Sequence, residues 1–206
     1  MTPDDPAAAV THVDLIRHGR VQTPGLFCAA PDEPLSAEGV QQLQRVTQAL
    51  QPDVILTSPS VRCAAFAREL AQRLNCPLQV EAAFQEMQFG RWVGQSTAAL
   101  WAQEADVLQQ LWTDPETFVA PGGEALTAFA GRVRDGWARL LAQHAGQQVL
   151  VFTHGGVIRV LLAQALGIAY RQTLALEPGY GTATRLRVYA DGAMSVYGMG
   201  CSCLDS

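Results

Sequence analysis

The sequence predicts an α/β protein, a three-layer α/β/α sandwich around a mostly parallel sheet. Two observations predict it. Short apolar runs such as "VDLIR" (Val13–Arg17), "DVILTS" (Asp53–Ser58) and "QVLVFT" (Gln148–Thr153) have the composition of strands buried on both faces. The runs alternate with segments whose apolar residues recur at helical spacing. Strands and helices in alternation build parallel sheets covered on both sides.

Val13–Arg17 is the first strand, and residues 19–35, rich in Gly, Pro and small side chains, form a loop. Helix follows in "PLSAEGVQQLQRVTQAL", with Ser36 as N-cap and Val40, Leu43, Val46 and Leu50 on one face. Leu35 and Val40 have the spacing of a hydrophobic staple. After the second strand, "SPSVRCAAFARELAQRL" is a helix that Ser58 can cap, with Pro59 in its first turn and Cys63, Phe66, Leu70 and Leu74 as its stripe. "PLQVEAAF" reads as a strand, and residues 96–112 and 123–143 as helices. "QQVLVFTHGGVIRVLLAQAL" is a strand, a tight Gly-Gly turn and a helix. "TATRLRVYA" and "AMSVYGM" make a final hairpin around Asp191-Gly192. Neither repeat nor linker interrupts the chain, so residues 1–206 are expected to form one domain, with 1–10 a floppy leader.

A chain of 206 residues with 49% hydrophobic and 16% charged residues has a globular composition and room for a sizeable core. A net charge of −5 argues against general nucleic-acid binding, which needs a basic footprint. No apolar run reaches the roughly 18 residues that span a bilayer. "MTPDDPAAAV" lacks the basic and apolar regions of a signal peptide, which predicts the cytosol. The five cysteines, odd in number and irregularly spaced, read as free thiols. Cys201 and Cys203 have no second pair at zinc-like spacing, so no metal site is expected. Monomer and homodimer both stay open.

The strand ends carry the functional signal. "LIRHGR" finishes its strand on Arg17, His18 and Gly19; the second strand leads to Arg62; Gln148–Thr153 leads to His154, Gly155 and Gly156. A buried strand does not end on charge without a partner, because unpaired charge is costly to bury. Singly, each feature is more often a solvated terminus or a turn. Together, at the edge where α/β proteins bind ligands, two Arg and two His form an anion site, and the helix after His154 adds its positive end. The expected anion is phosphate. Neutral His is a nucleophile toward phosphorus, guanidinium forks match phosphate oxygens, and a carboxylic acid protonates the leaving alkoxide. Glu86 in "FQEMQFGRWVG" is the candidate acid, partly desolvated by Met87, Phe89 and Trp92; Glu81 and Glu124 have weaker claims. His12 and His144 read as surface residues.

These motifs resemble, in order and spacing, those of the histidine phosphatase superfamily, the phosphoglycerate-mutase-like fold. "LIRHGR" is similar to its Arg-His-Gly signature, "TSPSVRCAAFA" to the segment of its second Arg, "FQEMQFGRWVG" to that of its acid Glu and "VFTHGGVIRVLL" to that of its second His. The resemblance implies that His18 is the phosphorylated nucleophile and that Arg17, Arg62 and His154 hold the phosphoryl group. It also implies that Glu86 donates and then accepts the proton, that Gly19 and Gly155 meet the substrate, and that no metal or cofactor is needed. Where the family often has Glu, Thr or Ser, and then Asn after this signature, the chain has Arg20, Val21 and Pro24.

Within the family, "DEPLSAEG", "EMQFGRWVG" and "APGGEALTAFAGRV" look most like the α-ribazole phosphatases, which implies a small phosphomonoester as substrate. A mutase and a non-catalytic phospho-ligand binder are the alternatives. Residues 91–122 are expected to roof the site, with Trp92 touching ligand and Trp101 and Trp112 in the core. Their one basic residue, Arg91, argues against a mutase's second anion site.

Overall fold

The run from Thr11 to Arg17 forms strand β1, and β1 lies inside the sheet. The computed structural model describes residues 10–203, so all but the last residue of the proposed leader lies outside the described residues. After β1 come α1 (Ala37–Thr47), β2 (Val54–Thr57), α2 (Val61–Leu74), β3 (Leu78–Val80), α3 (Thr97–Gln103) and α4 (Ala105–Thr113). Then follow α5 (Leu126–Gln143), β4 (Gln148–Thr153), α6 (Gly155–Leu166), β5 (Ala183–Val188) and β6 (Met194–Cys201). The strand order is β3-β2-β4-β1-β5-β6. The first four are parallel; β5 runs antiparallel to β1, and β6 to β5.

Alternation along the central strands divides the core into two layers. Val13, Leu15, Val54, Leu56, Val149 and Val151 pack toward α5 and α6. Ile16, Ile55, Leu150 and Phe152 pack on the other face against Leu43, Val46, Phe66 and Leu70 of α1 and α2. The predicted sandwich and its mostly parallel sheet are therefore present.

Local differences have local causes. α2 begins at Val61, with Ser60 at its N-cap, because Ser58 and Pro59 still belong to the turn leaving β2. The strand read in "PLQVEAAF" stops at Val80, where the Glu81 side chain accepts the Ala83 N–H at 2.9 Å and starts a short 3-10 turn. The helix expected over residues 96–112 breaks into α3 and α4 at Glu104. His144 is buried, not on the surface, with its Nδ1 2.8 Å from Gln147 Oε1. His12 is half-buried, edge-on to Tyr197. Among the described residues, no helix is long and apolar enough to cross a membrane.

Candidate active site

Register brings the three strand ends together. Arg17 pairs with Thr153, and Thr57 with Phe152. The chain then leaves each strand in the same way: the His18 N–H donates to the Thr153 carbonyl at 3.0 Å and the Ser58 N–H to the Phe152 carbonyl at 2.9 Å. His18 and His154 consequently face each other edge to face, with ring centroids 5.2 Å apart.

His18 is buried, and its Nδ1 lies 2.9 Å from the Gly19 carbonyl. A carbonyl only accepts, so the proton sits on Nδ1 and Nε2 keeps a free lone pair. Burial first, and then the Arg62 charge, lowers the His18 pKa to about 3, against a weaker opposing pull from the Gly19 bond; Arg17 adds to the lowering. The ring is neutral at any physiological pH. His154 is fully buried and lowered well below its ordinary value, by burial and then by His18 and the arginines around it. Arg62 Nη2 lies 3.3 Å from His154 Nδ1 and can only donate. The proton of His154 is then on Nε2, pointing at Ser58 Oγ 2.8 Å away.

The arginines here are set apart by burial without a carboxylate. Among the described residues Arg20, Arg91, Arg132, Arg139 and Arg185 each pair with a carboxylate. Arg17, Arg62 and Arg159 do not, and the buried Nε of each has no hydrogen-bond partner in the protein. Each unmet buried donor costs on the order of 1–3 kcal/mol, so three at one place indicate an anionic ligand. Arg62 Nη1 is anchored on the Ala30 carbonyl and Arg17 Nη1 on that of Pro178, both at 2.7 Å. Arg17 also lies over the Tyr180 ring, 3.8 Å from its centroid.

Glu86 lines the same cleft as Arg17, His18 and Arg62. Its Oε2 accepts the Gly156 N–H at 3.2 Å and its Oε1 the Met87 N–H at 3.1 Å, so the start of α6 holds this carboxylate. A Cβ on Gly156 would run into Glu86 Oε1. The backbone before Glu86 is pinned by Arg132, which donates to the Ala83 and Gln85 carbonyls at 2.8 Å and to that of Glu86 at 3.0 Å. Arg132 forks onto Glu124 at 2.8 and 3.0 Å. Glu124 and Glu81 are thereby occupied elsewhere, Glu81 with Arg139 at 3.1 Å, and neither competes as the acid.

Of the residues predicted from sequence, Arg17, His18, Arg62, Glu86, His154 and Gly155 gather here. Trp92 does not belong with them. Its side chain is fully buried, edge-on to Phe27 and tilted against Phe118, and its indole N–H donates to Glu104 Oε2 at 3.0 Å. Trp101 and Trp112 reverse the other way. They are 45% and 40% exposed and stack on each other, because the break at Glu104 folds α3 beside α4 and leaves both rings outside the core. Trp112 lines a cavity with Glu86.

Gly19 packs against α1, where a Cβ would collide with the Gly39 backbone; its contribution to the site is the carbonyl under His18. Arg20 points to solvent and pairs with Glu38 at 3.0 Å. Sequence reasoning missed the parts of Ser58, Arg132, Tyr180 and Arg159, and it placed Gly156 at the site without its hold on Glu86. Arg159 alone had a legible signal, one helical turn after Gly155 on the same face of α6.

The model of the histidine phosphatase superfamily (branch 1) matches residues 13–197. An adenosylcobalamin/alpha-ribazole phosphatase of Escherichia coli K12 is 31% identical over 159 residues, 75% of this chain and 78% of that protein. A protein of Salmonella paratyphi C named as a probable phosphoglycerate mutase is 27% identical, over 76% of this chain and 75% of its own. The crystal structure of the alpha-ribazole phosphatase from Shigella flexneri superposes with a TM-score of 0.82 at 24% identity, covering 95% of this chain and 98% of that one. With its sheet, its paired histidines and a family match along nearly its whole described length, this chain belongs to the histidine phosphatase superfamily.

Proposed function

We propose that the chain is a single-domain phosphomonoesterase working through a phosphohistidine at His18, with α-ribazole 5′-phosphate as its favoured substrate. The observation that carries the reading is the cluster of uncommitted guanidiniums beside a neutral imidazole and a carboxylate. The phosphoryl group binds between Arg17 and Arg62. His18 Nε2 attacks phosphorus, the N–P bond forms as the ester P–O bond breaks, and Glu86 gives the leaving oxygen its proton. Water then attacks the phosphohistidine, Glu86 takes the water's proton, and His18 and inorganic phosphate are released.

His154 changes tautomer in this scheme. Once phosphate draws Arg62 away, its Nδ1 is freed; with the proton moved there and the Ser58 hydroxyl donating to Nε2, His154 becomes a phosphate donor. The substrate assignment is supported by the similarity to enzymes named as alpha-ribazole phosphatases. The Pro121–Glu124 segment is a weaker cue, since Glu124 pins the loop of Glu86 through Arg132.

Rapid quench with radiolabelled substrate tests the mechanism. An acid-labile, alkali-stable phosphoprotein is expected, and it must vanish in His18→Ala; label retained there defeats the assignment. In parallel, phosphate release is compared with 3-phosphoglycerate isomerisation in the presence of 2,3-bisphosphoglycerate. Release is expected to dominate, and isomerisation faster than release would establish a mutase.

A further inference from the structure

We propose that Arg159 and the aromatic-walled cavity beside Glu86 form a leaving-group subsite for a planar apolar group that carries a hydrogen-bond acceptor, with a carboxylate its strongest partner. The proposal rests on the phosphatase reading above. The cavity has a volume of about 200 Å³ and is walled by Phe27, Phe89, Phe129, Trp112 and Tyr170. Such walls favour a flat apolar body. Glu86 lies in both this cavity and the cleft of His18, so a group here is attached to an oxygen that Glu86 can reach.

Arg159 lines the cavity and not the cleft around His18, whereas Arg62 lines that cleft and not the cavity, and Arg17 lies where the two meet. Its Nη2 is fixed on the Leu176 carbonyl at 3.1 Å, two residues from the carbonyl that fixes Arg17. The two guanidiniums therefore stand side by side against Gly155: a Cβ there would lie 3.3 Å from Arg159 Nη1 and 3.5 Å from Arg17 Cζ. Two adjacent cations repel each other. Arg17 accordingly has its pKa lowered by burial first and also by the Arg159 charge. Among the described residues no carboxylate pairs with Arg159, and its buried Nε is unmet. The phosphoryl group accounts for Arg17 and Arg62. A further cation beyond Arg17, unpaired on the leaving-group side of an aromatic-walled cavity, calls for an acceptor on the leaving group itself.

The test is calorimetric binding of benzylphosphonate and of 3- and 4-carboxybenzylphosphonate to the full chain. The better carboxylated ligand should bind at least tenfold more tightly than benzylphosphonate. Arg159→Met should bring that ratio to within twofold of one, and Arg159→Lys should keep part of it. Trp112→Ala should weaken all three aryl ligands more than it weakens methylphosphonate, and serves if Arg159→Met does not fold. No preference in the wild type, a preference that survives Arg159→Met, or equal losses for aryl and methyl ligands in Trp112→Ala would each overturn the proposal. Benzyl phosphate hydrolysis is followed alongside. Its absence would defeat the phosphatase reading, while the binding ratios would still decide the subsite.

Discussion

The carboxylate of Glu86 occupies the space where a side chain on Gly156 would stand, and it takes the Gly156 backbone N–H at 3.2 Å. In the proposed mechanism the acid is thus positioned by the helix that follows His154, so the group that would attend phosphate and the group that would protonate the leaving oxygen cannot move independently.

Gly156→Ala should therefore displace Glu86 without touching His18. We expect the loss to track that of Glu86→Gln: roughly 10²-fold or more in kcat on alkyl phosphates, and much less on p-nitrophenyl phosphate, whose leaving group needs no proton. Steady-state kinetics on both ester types is the measurement. Equal losses on the two would mean that the substitution damages phosphate binding instead.

Arg132→Lys removes a fork that ties Glu124 to three carbonyls of the loop carrying Glu86. A lysine ammonium cannot satisfy that set. The expected cost is about 2–3 kcal/mol of stability, together with a fall in kcat of about tenfold at nearly constant KM, read by denaturant unfolding and by kinetics. A change in KM alone would place Arg132 on the substrate.

Ser58→Ala leaves His154 Nε2 with only the weak Cys63 Sγ, 3.8 Å away. Vanadate should then inhibit about tenfold less well, since one lost hydrogen bond at a buried site is worth on the order of 1–3 kcal/mol. An unchanged inhibition constant would remove Ser58 from control of the tautomer.

Acid should destabilise the protein through its histidines. Unfolded, His18 titrates near 6.5; folded, at about 3. Above pH 6.5 both states are neutral and nothing is lost. As pH falls from 6.5 toward 3 the unfolded state binds a proton that the folded state refuses, so stability drops by up to about 1.4 kcal/mol per pH unit for this residue. His154, also lowered, acts in the same direction. Urea unfolding between pH 6 and 4 should show a shallower decline for His18→Gln than for the wild type, by about that slope.

With the arginines supplying the positive charge and the neutral histidines a nucleophile and a hydrogen-bond donor, activity should persist in EDTA and be inhibited by vanadate. Activity lost in EDTA and restored by one divalent metal would overturn this mechanism.

Much of this protein was legible before any coordinates. The strands were readable because their apolar runs are short and buried on both faces, as at Val149–Thr153. That Arg17, His18, Arg62, Glu86 and His154 gather at one place was readable because charged and polar residues stand where buried strands end. What stayed hidden depends on contacts between distant segments. Trp92 and Trp112 are chemically alike and only 20 residues apart, yet one is fully buried and the other lines the cavity, because the break at Glu104 sets which ring faces inward. Ser58 looks like a helix cap until the parallel pairing of β2 with β4 sets it against His154. Arg132, Gly156 and Arg159 gain their places only when α5, α6 and the loop of Glu86 pack together. Composition and periodicity determined the layers, and the motifs at the strand ends pointed to the candidate reacting groups. Packing across the sheet edge decided which neighbours hold those groups, since hydrogen-bond geometry between segments some 50–100 residues apart is a property of the folded chain alone.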